Sequence, residues 1–234
     1  MNDTDRRTTM MKLASAAVFL AIVVVVALIV VNSSSSDSGG DAENIEGAAE
    51  VASSLQGIPQ DEMVLGDPKA PVELVEFGDL QCPVCKGFAE EILPPIIENQ
   101  VKNGEVKIDF RNFTIIGPQS VDAGAAALAA GAQGRGWNFV ELFYMNQGAE
   151  NSGYADDAFL EAVAEGAGVK DMEKWNEDRK LMRTKVEETS QEAQQLDFGG
   201  TPSFAIQGPG AKGLEAIGTP SSTGAFEEAI EEAG

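Results

Sequence analysis

Two cysteines in a chain of 234 residues, Cys82 and Cys85, are separated only by Pro83 and Val84. Thiols this close can exchange two electrons with a partner: one thiolate attacks a disulfide, a mixed disulfide forms, and the second thiol resolves it. Two other uses of the spacing are open. As a stabilising crosslink, a Cys82–Cys85 bond closes so short a ring that chain entropy contributes only about 1.9 kcal/mol, against roughly 3 for a fifteen-residue loop. As a metal centre the pair is two ligands short, and with no histidine in the chain it would have to recruit carboxylates or a second chain. The absence of histidine also excludes imidazole triads and imidazole pH switches.

The elements around the pair favour exchange. "PVELVEF", residues 71–77, has strand composition, and a turn over Gly78 to Gln81 leads into "CPVCKGFAEEILPPIIENQVKNG", residues 82–104, which predicts a helix. Pro83 suits the first helical position, where its missing N–H is not needed, and Pro94 and Pro95 predict a kink midway. "EVKIDFRNFTI", residues 105–115, alternates as the next strand. A Cys-x-x-Cys motif at a helix start between two strands reads as a thioredoxin-like redox site. The positive end of the helix favours a thiolate at Cys82, and Cys85 lies one turn further in. Cys82 is therefore the expected nucleophile and Cys85 the resolving thiol.

From 120 to 196 the apolar spacing turns helical over 120–134, 136–148, 156–168 and 171–196, which predicts an all-helical insertion. Extended structure returns at "TPSFAIQG" (201–208) and "KGLEAIG" (212–218), a predicted hairpin, and "TGAFEEAIEEAG" (223–234) closes the chain as an amphipathic helix. The expected class is α/β in the order βαβ, helices, ββα. Trp137, Val140, Phe143 and Tyr144 have the spacing of a packed helix face, and Glu227, Glu228, Glu231 and Glu232 that of a wet one.

The stretch "LASAAVFLAIVVVVALIVV", residues 13–31, carries no charge and approaches the bilayer core in helical length. Arg6, Arg7 and Lys12 precede it, and no Lys or Arg follows until Lys69, which predicts a single-pass anchor with residues 1–12 cytoplasmic and the remainder outside the cell membrane. A cleaved signal peptide is the alternative; its apolar region is normally shorter. Either way the thiols meet a disulfide-permissive compartment. Residues 32–60 begin with the Ser/Gly-rich "NSSSSDSGGD" and read as a linker in which 42–57 can form a short helix, so the folded domain is expected over 61–234. The net charge of −22 repels a phosphate backbone, which argues against nucleic acid as a partner. A solvated surface and an adaptation to high salt both explain that acidity.

"VEFGDLQCPVCKGF" (75–88) resembles the active-site stretch of the DsbA-like thiol:disulfide oxidoreductases. "GAQGRGWNFVELFYMNQG" (131–148) is similar to the aromatic helix of that family's insertion, and "FGGTPSFAIQG" (198–208) to its cis-proline segment. The resemblance implies a thioredoxin-like fold interrupted by a helical subdomain at about 118–197. It implies exchange of a Cys82–Cys85 disulfide with the cysteine thiols of substrate proteins, most often to form disulfides, with no added cofactor or metal and a membrane redox partner that recycles the pair. It further implies that the Thr201–Pro202 bond is cis beside Cys82 and that the Thr201 backbone pairs with an extended substrate; sequence alone allows an ordinary strand-entry proline. Glu76 stands where the family carries a buried acid near the second thiol. It shares a strand face with Val72 and Leu74, but a solvated strand-end glutamate fits equally well. Val84 departs from the pattern: strongly oxidising members have histidine there, so the Cys82 thiolate is expected to be less stabilised, which keeps a reductase or isomerase open. A thioredoxin-fold peptide-binding module without electron transfer is the remaining alternative.

Overall fold

The computed structural model describes residues 45–234. The expected cytoplasmic residues 1–12, the span at 13–31 and the Ser/Gly-rich part of the linker lie outside them. Among the described residues no helix is long and apolar enough to cross a membrane.

A six-stranded mixed sheet organises this body. Its strands are β1 (Gln60–Asp61), β2 (Val64–Leu65), β3 (Val72–Gly78), β4 (Val106–Asn112), β5 (Ser203–Gln207) and β6 (Glu215–Gly218), ordered β1-β2-β4-β3-β5-β6. β3 and β4 are parallel, and the helical segment 83–101 (α2) connects them; the other neighbours are antiparallel. β3 is central and covered on both faces, which is why its apolar residues Val72, Leu74, Val75 and Phe77 do not simply alternate and are all buried. Val72 and Leu74 join the main core, whereas Val75 and Phe77 pack with Phe113, Ala193 and Ala205 on the other side.

Helix α2 begins as a regular turn at Pro83–Gly87 and passes through wider π-helical turns at Phe88–Ile92 and Ile97–Val101, on either side of Leu93–Ile96. Pro94 and Pro95 have no N–H to give to the carbonyls a turn earlier, so the ladder slips to i→i−5 bonds and the helix continues through the pair.

Between β4 and β5 lie α3 (Pro118–Gly131), α4 (Gly136–Met145), α5 (Asp157–Gly166), α6 (Met172–Leu181) and α7 (Arg183–Gln195). The last two were expected as one helix; the first ends at Leu181 and the second starts at Arg183, with a turn at Met182 between them and no Gly or Pro to mark the break. α3 buries a stripe of alanines, among them Ala123, Ala126, Ala127 and Ala130, so neighbouring helices approach it closely. Trp137 and Trp175 are fully buried, and their indole N–H groups donate to Met63 O at 2.7 Å and Ala126 O at 2.9 Å. Helix α8 (Thr223–Ala233) closes the chain, with Phe226 and Ile230 inside and Glu228, Glu231 and Glu232 in solvent.

The packed body starts earlier than the expected Asp61. Helix α1 (Ala48–Ser54) docks Val51, with Leu55 just after it, into the main core, and the hairpin β1–β2 extends the sheet beside β4. Two-residue strands carry too little alternation to be read from sequence; their pairing comes from the neighbouring strand.

Candidate active site

Cys82 caps α2 with extended dihedrals (φ −75°, ψ 120°), and its Sγ accepts the Cys85 backbone N–H at 3.4 Å. Both cysteines are free thiols in one buried cluster; Cys82 is 5% exposed and Cys85 is fully covered. Across the chain, the Thr201–Pro202 peptide bond is cis, and Cys82 Sγ lies 3.4 Å from Thr201 O as donor. Two hydroxyls hold that loop: Thr219 Oγ1 donates to Pro202 O and Ser203 Oγ to Gly200 O, each at 2.7 Å.

The two thiols are displaced in opposite directions. The Cys85 thiol, the Thr201 side chain and the backbone N–H groups of Cys85 and Val84 stabilise the Cys82 thiolate and outweigh burial, lowering its pKa to about 6. Burial pushes Cys85 far above the normal thiol range, reinforced by its hydrogen bond to Cys82 and the charges of Glu76 and Cys82. About 6 lies within the span of roughly 3.5 to 7 covered by Cys-x-x-Cys sites, near its weaker end. That agrees with Val84, which is 61% exposed and supplies no cation.

Glu76 takes the buried alternative. It is 1% exposed at the centre of the sheet, opposite Phe110 on β4 and Phe204 on β5, and its Oε1 has no protein partner. Burial, then Glu141, then Cys82 hold its pKa well above the ordinary carboxylate range. Gly78, two residues on, leaves the room: a Cβ there would lie 2.6 Å from the Phe110 ring and 3.2 Å from Glu76 Oε1.

Several bracing residues were not anticipated. Asp79 is fully buried and accepts the backbone N–H groups of Gln81, Ile115 and Ile116, tying the turn before Cys82 to the loop after β4. The aspartate-to-i+2 contact is the one local signal that sequence offered for it. Tyr144 Oη donates to Asp79 O at 3.4 Å, and Gln147 Nε2 donates to Leu80 O at 2.7 Å and Cys82 O at 3.1 Å, so the residues of the aromatic helix and its end also clamp the active-site turn. Gln147 lies 65 residues from Cys82 in the chain, a distance no spacing rule spans.

Comparison with known proteins decides the family. The sequence profile described as Thioredoxin matches residues 59–232. The chain is 34% identical over 149 residues to the probable disulfide bond formation protein D of Bacillus cereus, covering 62% of this chain and 69% of that protein. It is 31% identical over 157 residues to disulfide bond formation protein D of Bacillus subtilis, with 65% and 69% covered. The chain belongs to the DsbA-like thioredoxin-fold oxidoreductases. The crystal structure of oxidised BdbD from Bacillus subtilis superposes with a TM-score of 0.65 at 25% identity, over 75% of this chain and 97% of that one. This DsbA-like protein is thus a thiol:disulfide oxidoreductase, and its helices between β4 and β5 are the family's insertion.

Proposed function

We propose that Cys82 is the attacking thiolate and Cys85 the resolving thiol of a membrane-anchored, extracytoplasmic enzyme that forms disulfides in substrate proteins. The observation that carries the reading is the unequal setting of the two thiols: Cys82 caps α2 and accepts the Cys85 N–H, which favours its thiolate, whereas Cys85 is fully covered and burial favours its neutral form. In the oxidising direction a substrate thiolate attacks Cys82 Sγ of the Cys82–Cys85 disulfide. The S–S bond breaks, its electron pair leaves on Cys85, and Glu76 protonates that sulfur. A second substrate thiolate then attacks the substrate sulfur of the mixed disulfide, releasing an oxidised substrate and the Cys82 thiolate. Stabilising that leaving thiolate favours donation of the disulfide.

Thr201 and Pro202 shape the substrate groove beside Cys82. Thr201 O lies 3.4 Å from Cys82 Sγ, and since neither the thiolate nor a mixed disulfide has an S–H to give it, it is available to a backbone N–H of an extended substrate. The exposed Pro83 and Val84 face the same visitor. Residues 13–31 supply the anchor, and a membrane redox partner reoxidises the pair after each turnover.

A Cys85→Ser variant of the full chain tests the reading. It accumulates mixed disulfides with cysteine-containing proteins that reducing agent dissolves; absence of such adducts would leave a binding module. Equilibration with glutathione then sets direction: above about −180 mV the pair acts as an oxidant, and near about −270 mV as a reductase.

A further inference from the structure

The segment that faces Cys82 lies beyond both of its strand ladders. β5 pairs with β3 as far as Ser203, opposite Phe77, and with β6 as far as Phe204, opposite Gly218. Gly200, Thr201 and Pro202 therefore run past the sheet, and Pro202 has no N–H with which to join a ladder. Each of their carbonyls is met by a side chain instead. Ser203 Oγ donates to Gly200 O and Thr219 Oγ1 donates to Pro202 O, both at 2.7 Å, while Thr201 O between them faces Cys82 Sγ at 3.4 Å. The outer two carbonyls are held by hydroxyls of the fold, and the middle one is left to the reacting sulfur and to whatever is joined to it.

Thr219 reaches Pro202 because β6 ends irregularly. The register shifts between Phe204, opposite Gly218, and Ala205, opposite Ala216, so Ile217 is an extra residue on β6. Gly218 follows at φ 70°, a left-handed conformation that glycine adopts without steric penalty. Pro220 then favours an extended backbone at Thr219. Together they carry the chain across the end of β5 and bring the Thr219 hydroxyl to the Pro202 carbonyl. Thr219 is exposed, so burial in the core does not account for its placement.

We propose that Thr219 is a positioning residue of the substrate groove: by fixing the Pro202 carbonyl it steadies the neighbouring peptide unit and so aims Thr201 O at a backbone N–H of an extended polypeptide joined to Cys82. The inference rests on the reading that Thr201 pairs with the substrate backbone. It makes Thr219 a determinant of specificity, favouring sulfur carried on a polypeptide over sulfur carried on a small molecule without amides.

The test follows attack by the reduced full chain on two mixed disulfides that share a leaving group. One is an extended peptide whose single cysteine is capped with nitrothiobenzoate; the other is mercaptoethanol with the same cap, which has no amide. The Cys82 thiolate attacks the peptide or mercaptoethanol sulfur, a new disulfide to Cys82 forms, and the cap leaves with the electron pair as a coloured thiolate. Each protein is read as the ratio of its peptide rate to its mercaptoethanol rate, so a change in the acidity or nucleophilicity of Cys82 cancels. In Thr219→Val, which keeps the shape and loses the hydroxyl, the ratio falls between about twofold and tenfold, the worth of one neutral hydrogen bond. Thr219→Ser restores it. An unchanged ratio in Thr219→Val, or a loss that Thr219→Ser shares, overturns the role of Thr219. Peptides N-methylated one at a time at the amides flanking the cysteine separate the two layers. If the wild type reacts with all of them as fast as with the parent peptide, the pairing at Thr201 itself fails. If the wild type discriminates and Thr219→Val discriminates equally, only the role of Thr219 fails; the expected result is weaker discrimination in Thr219→Val.

Discussion

Replacing Cys85 by alanine removes the thiol whose hydrogen bond is the largest influence holding Cys82 at about 6. A hydrogen bond to a charged group contributes about 1.5 to 3 kcal/mol, and one pH unit corresponds to about 1.36 kcal/mol, so the Cys82 midpoint rises by about 1 to 2 pH units. At neutral pH the thiolate fraction then drops from about nine-tenths to between about one-half and one-tenth. The assay is the thiolate ultraviolet absorbance, or alkylation by iodoacetamide, followed across pH. The midpoint is the quantity to read, because a thiolate of higher pKa is also a better nucleophile, with a Brønsted slope of about 0.4 to 0.5 that offsets part of the rate loss. Cys85→Ser keeps an O–H donor and falls between alanine and wild type. A midpoint that stays near 6 in Cys85→Ala would mean that the backbone N–H groups of Val84 and Cys85 and the Thr201 side chain suffice, and that the Cys85 thiol is not the largest influence on Cys82.

Two further outcomes concern stability. Glu141 titrates at about 8 in the folded chain and near 4.5 unfolded. Below 4.5 both states hold the proton and its contribution is full; between 4.5 and about 8 only the folded state holds it, so stability falls as pH rises, on the order of a few kcal/mol. Urea denaturation of the oxidised protein across that window reads the effect, and the slope is shallower in Glu141→Gln; equal slopes would count against the burial argument. Asp79→Ala strands one buried and two part-buried backbone donors and lowers unfolding free energy by roughly 2 to 4 kcal/mol in urea, whereas a loss under about 1 would mean the loop finds other acceptors.

The order of elements was legible because each signal is local. Strand composition around Val72 to Phe77, proline at the first helical position and 3.6-residue spacing after Ser120 report on neighbours within one or two turns. The position of Cys82 at the cap of α2 follows from the same short-range rules, and so does the expectation that it becomes the thiolate. Less local features were not legible: the short helix was expected, but its docking through Val51, the β1–β2 hairpin and the break at Met182 depend on what they pack against.

What the sequence carried by itself is therefore the expectation of thiol exchange: two thiols, their spacing, and a helix start that favours the first as an anion. What only the tertiary structure decided is the environment that sets them apart. Thr201 reaches Cys82 from 119 residues away, Gln147 from 65, and Glu76 is buried between strands that set Phe110 and Phe204 opposite it. Its pKa, like that of Cys85, is a property of the water that is excluded, and exclusion is a sum over residues distant in sequence that no spacing along the chain records.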